Sequence, residues 1–179
     1  MKTRTRALVG TLVGIGLLGG ATGLTVAQAD PTAQQAPKPS AVVAQQPVLS
    51  ADAAIKAAQA ALDAAEAKGQ HVTVSVVDRA GNERVQLTGD GAGPQSFDSA
   101  ERKAYTAVAW GKTTSELSKQ AGGQGATLRD IPNTLFLAGG VPVSAGTPIA
   151  GIGVAGAPSG DLDEEFAEAG LQAIQADLR

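Results

Sequence analysis

The 179-residue chain contains no cysteine, which excludes a disulfide framework, a lipid-modified cysteine and any thiol redox chemistry. Its fold must therefore rest on core packing or on assembly with further copies. Histidine and methionine are nearly absent as well, with only His71 and Met1. A single histidine, no thiol and no serine in an elbow motif leave no nucleophile with a base in reach, so hydrolytic catalysis has no support. Charged residues make up 17% of the chain, with 14 basic against 17 acidic side chains and a formal net charge of -3.

What is present begins with an export pattern. Lys2, Arg4 and Arg6 precede an uncharged run from Ala7 to Ala29 that closes on an A-x-A cleavage pattern at Ala27 to Ala29. Thr5 separates the two arginines, so a twin-arginine signal is not evident. The run approaches the ~20 residues that span a bilayer, which makes an uncleaved anchor the competing reading. Glycines and threonines dilute it and a cleavage site follows, so residues 1–29 are read as a signal peptide and the protein as secreted. Cleavage removes three cations and no acid, which takes the net charge from -3 to -6 and argues against a nucleic-acid partner.

Residues 30–47, "DPTAQQAPKPSAVVAQQP", are rich in Pro, Gln and Ala without apolar periodicity and read as a disordered linker. Residues 48–179 read as one domain. A first helix follows Ser50, with Asp52 in its first turn, Lys68-Gly69 as its stop, and Ile55, Ala58, Leu62 and Ala65 as its inner stripe. Val72, Val74 and Val76 alternate with Thr73 and Ser75, and the turn Ala80-Gly81-Asn82 leads to Arg84 to Leu87, an antiparallel hairpin. A helix from Ser96 to Trp110 places Phe97, Ala100, Ala104, Ala107 and Val108 on one face and stops at Gly111. A short helix spans about Thr114 to Gln120, two or three short strands follow, and a helix from Asp161 to Leu178 closes the chain with Asp161 and Glu164 spaced as a capping pair. The order α-β-β-α-α-β-β-(β)-α predicts an α+β domain, an antiparallel sheet flanked by helices.

Residues 151 to 156, "GIGVAG", match the dinucleotide fingerprint letter for letter. Its mechanism needs a strand, a tight turn, a helix N-terminus on the pyrophosphate and a second strand carrying an acid. Here the glycines alternate with Ile149, Ile152 and Val154 inside a strand pattern, and the next helix starts only after Pro158-Ser159-Gly160. The expectation is that these are strand glycines that allow close packing, not a phosphate cradle.

The stretches "VVDRAGN", "SAERKAYTA", "GGVPV", "GIGVAGAPSGDLDEE" and "AEAGL", which together run across roughly Val48 to Leu178, resemble the GlcG/HbpS-type family of small haem-binding proteins. The resemblance implies homo-oligomeric assembly, with an octamer as one form, and haem or iron capture or sensing with signalling to a membrane sensor kinase. An enzyme acting on a small molecule and a non-haem interaction module remain the alternatives, because family membership alone does not fix function.

Haem iron is commonly held by His, Met, Cys or Tyr, and after cleavage the chain offers only His71 and Tyr105. His71 also reads as a surface histidine, and Tyr105 as a ring packed at the rim of the core. The resemblance places a threonine ligand in the inter-helix segment, where "KTTSE" stands, so Thr113 is a candidate; Thr113-x-x-Glu116 is equally a capping box. Arg102, Lys103 and Lys112 are candidate partners of haem propionates or simply solvated helix charges. Asp78 and Glu83, with Asp90, form a candidate iron or hard-cation set near the hairpin, although Asp78 also suits the turn itself. Asp161, Asp163, Glu164 and Glu165 fit a helix N-terminus better than a chelate.

Overall fold

A computed structural model describes residues 46–122 and 127–178. Residues 1–45, on which the expected signal peptide and nearly all of the expected linker fall, lie outside the described residues. Among those described, no helix is long and apolar enough to cross a membrane.

Helix α1, Ala51–Ala67, starts where the Ser50 hydroxyl accepts the N–H of Ala53 and ends where Gly69 turns left-handed at φ 66°, as the sequence predicts. Strands β1, Thr73–Asp78, and β2, Glu83–Thr88, form the expected hairpin. Helix α2, Gln95–Trp110, stops at Gly111 with φ 63°, and helix α3 covers Thr114–Gln120. Strands β3, Gly140–Ala145, and β4, Thr147–Ala155, turn back on each other through Gly146 at φ 76°. Helix α4, Gly160–Ile174, follows, and one 3-10 turn, Gln175–Asp177, ends it. The sheet order is β2-β1-β4-β3 with every pairing antiparallel, so the α+β class is as expected.

The optional third strand of the late segment does not form. Residues 134–137 instead lie along α2: the Leu135 N–H donates to the Thr106 hydroxyl at 2.8 Å, and Phe136 meets Trp110 edge to face with centroids 5.4 Å apart.

Both faces of the sheet are covered. Val74, Val76, Val141, Val143, Ile152 and Val154 point into a core shared with α1 and α4, where Phe166 is the largest fully buried side chain. The other face lies under α2, and there the sheet presents unusually little side chain. Val77 packs on Ala104 and Val108, and the Thr73 hydroxyl pairs with that of Ser96 at 2.7 Å. Beneath the middle of α2 the strands offer glycine. A Cβ at Gly151 would overlap the carbonyl oxygen of Ala104, one at Gly153 that of Ala100, and one at Gly140 would come within 2.5 Å of that of Lys103. Gly140 and Gly153 are register partners on neighbouring strands, so the three glycines form a continuous trough that seats the helix backbone.

Small residues explain two departures on the helices. The inner stripe of α1 is Ala54, Ala57, Ala58, Ala61, Leu62 and Ala65, while Ile55 is 52% exposed. At Gly170 of α4 a Cβ would stand 2.6 Å from the Ala57 carbonyl oxygen, so α1 and α4 approach too closely for an isoleucine between them. On α2, Phe97 is exposed and Lys103 takes a place on the buried face. The cap of α4 also differs: Ser159 accepts the N–H of Leu162, so Asp161 and Glu164 do not act as a capping pair.

The trough sets the first prediction. Gly153→Ala forces the α2 backbone off the sheet and costs about 1–3 kcal/mol or more by overpacking. Urea unfolding should show a lower midpoint with an unchanged slope, and an unchanged midpoint would contradict the seating described here.

Candidate functional site

Two patches carry four of the sequence-predicted site residues, Arg102 and Tyr105 on the outer face of α2 and Lys112 and Thr113 at the α2–α3 turn. On α2, Asp98, Glu101, Arg102 and Tyr105 are spaced three and four apart and so share a face. With Gly81 of the β1–β2 turn and Asn133 they line an open cleft of about 250 Å³. The body of Tyr105 packs on the Val77, Ala104 and Val108 cluster, and its ring edge lies where a Cβ at Gly81 would come within 3.1 Å. Gly81 is doubly required, since its φ of 86° is one that side chains rarely adopt. The Arg102 guanidinium donates to the Thr134 carbonyl at 2.7 Å and fixes the loop that carries Asn133, itself left-handed at φ 63°.

At the turn, Gly111 ends α2, and Lys112 stands exposed without an ion pair among the described residues. Thr113 has extended backbone and its Oγ1 accepts the N–H of Glu116 at 3.4 Å, the first half of the capping box. Further contacts tie this turn to β3, where the Gly140 N–H donates to Thr114 Oγ1 at 2.8 Å, and to α4. Ser115 Oγ donates to Glu164 Oε1 at 2.5 Å, and the N–H groups of Ser115 and Gly139 both donate to Glu164 Oε2 at 3.1 Å. Thr113 Oγ1 lies 2.9 Å from Ser115 Oγ. Glu164 thus joins the start of α3 to the start of β3 from 49 residues away from Ser115, a link that no local pattern announces.

Several expectations are corrected. Lys103 is 3% exposed, and its ammonium is held by Asp163 Oδ2 at 2.7 Å and the Val154 carbonyl at 2.9 Å, so it faces the core and not a surface ligand. Asp163 is equally committed, since its Oδ1 accepts the Ala157 N–H. Burial raises the Asp163 carboxyl above its ordinary range, against the opposing pull of Lys103.

Asp78 and Glu83 are taken by the hairpin. Asp78 Oδ1 accepts the N–H groups of Ala80 and Asn82, and Glu83 accepts from Ser75 Oγ and Gln86 Nε2. Burial opposes ionisation of Asp78, but the Asn82 backbone and amide, the Ala80 N–H and nearby Arg84 outweigh it and hold the carboxyl below its usual range. Among the described residues no group of three or more His, Asp or Glu could hold a metal ion, and the oxygens of Asp78 and Glu83 are engaged within the hairpin. His71 is exposed and lines a separate cleft with Glu66, Gln70 and Asp90, and Glu165 pairs with Lys68 on the surface.

The glycines of "GIGVAG" do what the strand pattern implies. Gly151 and Gly153 lie in β4 under α2, and Gly156, at φ 129°, ends the strand against the His71 carbonyl. None of them sits at a helix N-terminus.

Comparison with known proteins bears on this geometry. A family model described as haem degrading protein HbpS-like matches residues 49–172. A crystal structure of a double mutant of HbpS from Streptomyces reticuli is 59% identical, covers 80% of this chain and 99% of its own, and superposes with a TM-score of 0.73. Another HbpS crystal structure is 58% identical over 78% of this chain and 99% of its own, also with a TM-score of 0.73. A PduOC complex with haem is 30% identical over 72% of this chain and 96% of its own, with a TM-score of 0.65. None of the curated proteins matches the chain.

Two predictions follow from the charges. Lys103→Met leaves Asp163 buried without its cation and should cost about 3–5 kcal/mol in urea unfolding. The Lys103→Met, Asp163→Leu double variant should recover most of that, and strictly additive losses would contradict a coupled pair.

Asp78 has a lowered folded pKa, so its contribution is present above its unfolded value of 3.8 and is lost as pH falls through the folded one. Asp78→Ala should therefore destabilise at pH 7, by about 1–3 kcal/mol, and the gap to wild type should narrow below pH 3.8. A pH-independent gap would show that the turn does not depend on the ionised carboxyl.

Proposed function

The chain belongs to the HbpS-like family, and from that premise we propose that it binds haem with two groups of residues, Arg102 and Tyr105 on the outer face of α2 and Lys112 and Thr113 at the α2–α3 turn. The observation that carries the reading is the family match over residues 49–172, together with a haem complex of a 30% identical relative.

The residues fit such a ligand in a particular way. A porphyrin has a broad apolar face, two carboxylates at one edge and an iron that takes axial donors. The face of α2 supplies an amphipathic ring in Tyr105, the turn supplies the Thr113 oxygen, and Arg102 and Lys112 are exposed cations suited to propionates. Lys103, turned into the core, is not among them. What one subunit lacks is enclosure: the cleft of about 250 Å³ is smaller than the roughly 300–1,000 Å³ of ordinary small-molecule sites. The reading is therefore of an open, reversible site with a weak neutral oxygen donor, and of a homo-oligomer in which a neighbouring copy covers the ligand. Tight retention of haem by an isolated subunit does not belong to it.

Export belongs to the same reading. The positive patch, the apolar run and the cleavage pattern at Ala27 to Ala29 support a secreted protein cut near Ala29, and the resemblance supports haem or iron capture or sensing with a membrane sensor kinase as the receiver.

Titrating the mature protein with haemin should give a saturable Soret shift at micromolar protein, weakened about tenfold, or 1.4 kcal/mol, in Thr113→Ala. No shift with the wild type would sink the proposal. Following the same sample over time separates carriage from breakdown, since a persistent Soret band means that haem is kept and a decaying one that it is degraded.

A further inference from the structure

The contacts around the α2–α3 turn have a direction. Ser115 has one hydroxyl hydrogen, and it is committed to Glu164 Oε1 at 2.5 Å. The Glu164 carboxylate also accepts two backbone N–H groups and donates to none of its neighbours. Ser115 Oγ must therefore act as the acceptor in its 2.9 Å contact with Thr113, whose own hydrogen points toward Ser115. The Thr113 oxygen receives only the long 3.4 Å bond from the Glu116 N–H and keeps a lone pair that no described group uses. Thr113 is thus oriented as an acceptor toward its surroundings, and its proton leads through Ser115 to a carboxylate.

We propose that Glu164 is a positioning residue for the haem contact, acting through Ser115 to turn the Thr113 hydroxyl into an outward-facing electron donor. The inference rests on the haem reading above and adds to it the group that sets the donor's strength. A neutral alcohol is a poor ligand for ferric iron. An alcohol whose hydrogen is drawn into a chain ending on a carboxylate carries more electron density on its oxygen, as a carboxylate behind a metal-bound imidazole does for nitrogen. Burial supports the assignment of direction. Thr113 and Ser115 are half-buried, and Glu164 is fixed at both oxygens, so the chain is held and does not fluctuate among solvent partners.

The test uses the mature protein and haemin, with the ferric absorption spectrum and the haem dissociation rate as readouts. Ser115→Ala and Glu164→Gln should each shift the ferric bands toward those of Thr113→Ala and speed dissociation by about tenfold or more. Ser115→Thr, which keeps the hydroxyl, should retain the wild-type spectrum. In the Thr113→Ala background, adding Ser115→Ala should change the spectrum no further. Wild-type spectra in Ser115→Ala and Glu164→Gln would overturn the relay, even where thermal unfolding shows both variants destabilised. A wild-type spectrum in Thr113→Ala would leave haem binding standing and remove the relay. A wild type that takes up no haemin would remove both.

Discussion

The structure depends on how closely one helix backbone lies against a sheet. Gly140, Gly151 and Gly153 leave no side chain between α2 and strands β3 and β4, and a Cβ at any of them would strike an α2 carbonyl. Close packing of this kind is rigid in a way that packing through flexible side chains is not, because backbone cannot rotate out of the way. The same device recurs on the opposite face, where Gly170 and the alanines of α1 bring α1 and α4 together. A domain with no disulfide and few large aromatics gains order from close contact of small residues, where others use cross-links.

Seating α2 so deeply fixes what lies along it. Its inner side carries Lys103 into the core, where the ammonium bridges Asp163 of α4 and the Val154 carbonyl of β4. A buried ion pair contributes little net stability but is costly to break, so it holds α4 in one register relative to α2. That register places Glu164, the next residue along α4, against the start of α3. The outer side of α2 carries Arg102 and Tyr105, and its end delivers Lys112 and Thr113. The candidate site is in this sense the outer edge of the packing that the glycines permit.

Much of the fold was legible in the sequence. Ser50 and Gly69 mark the ends of α1, Gly111 the end of α2, and the alternation of Val72, Val74 and Val76 the first strand, because each signal is local and has one physical meaning. Segment order argues against "GIGVAG" as a phosphate site, and Gly151 and Gly153 do lie within β4 with Gly156 just past its end. Lys103 goes inward because Asp163 and the Val154 carbonyl partner its ammonium, while Ile55 and Phe97 depart from expectation for another reason. Periodicity identifies an apolar face, but when the partner is backbone the smallest residues go inward, and large apolar ones are displaced to the surface. Of the two or three late strands expected, two form, and 134–137 lies along α2 through Thr106 and Trp110. At the site, Thr113, Lys112, Arg102 and Tyr105 were nameable from the sequence. Glu164 was visible only as one acid in a helix first turn, since its partners Ser115 and Gly139 are 49 and 25 residues away.

The central claim is that haem meets this chain at the end of α2, with the Thr113 oxygen toward the iron. A crystal structure of the mature protein loaded with haemin tests it most directly. The account predicts the iron within coordination distance of Thr113 Oγ1, the Ser115 and Glu164 contacts retained, and the propionates near Arg102 or Lys112. Haem seated against His71, with Thr113 serving only as the cap of α3, would contradict it.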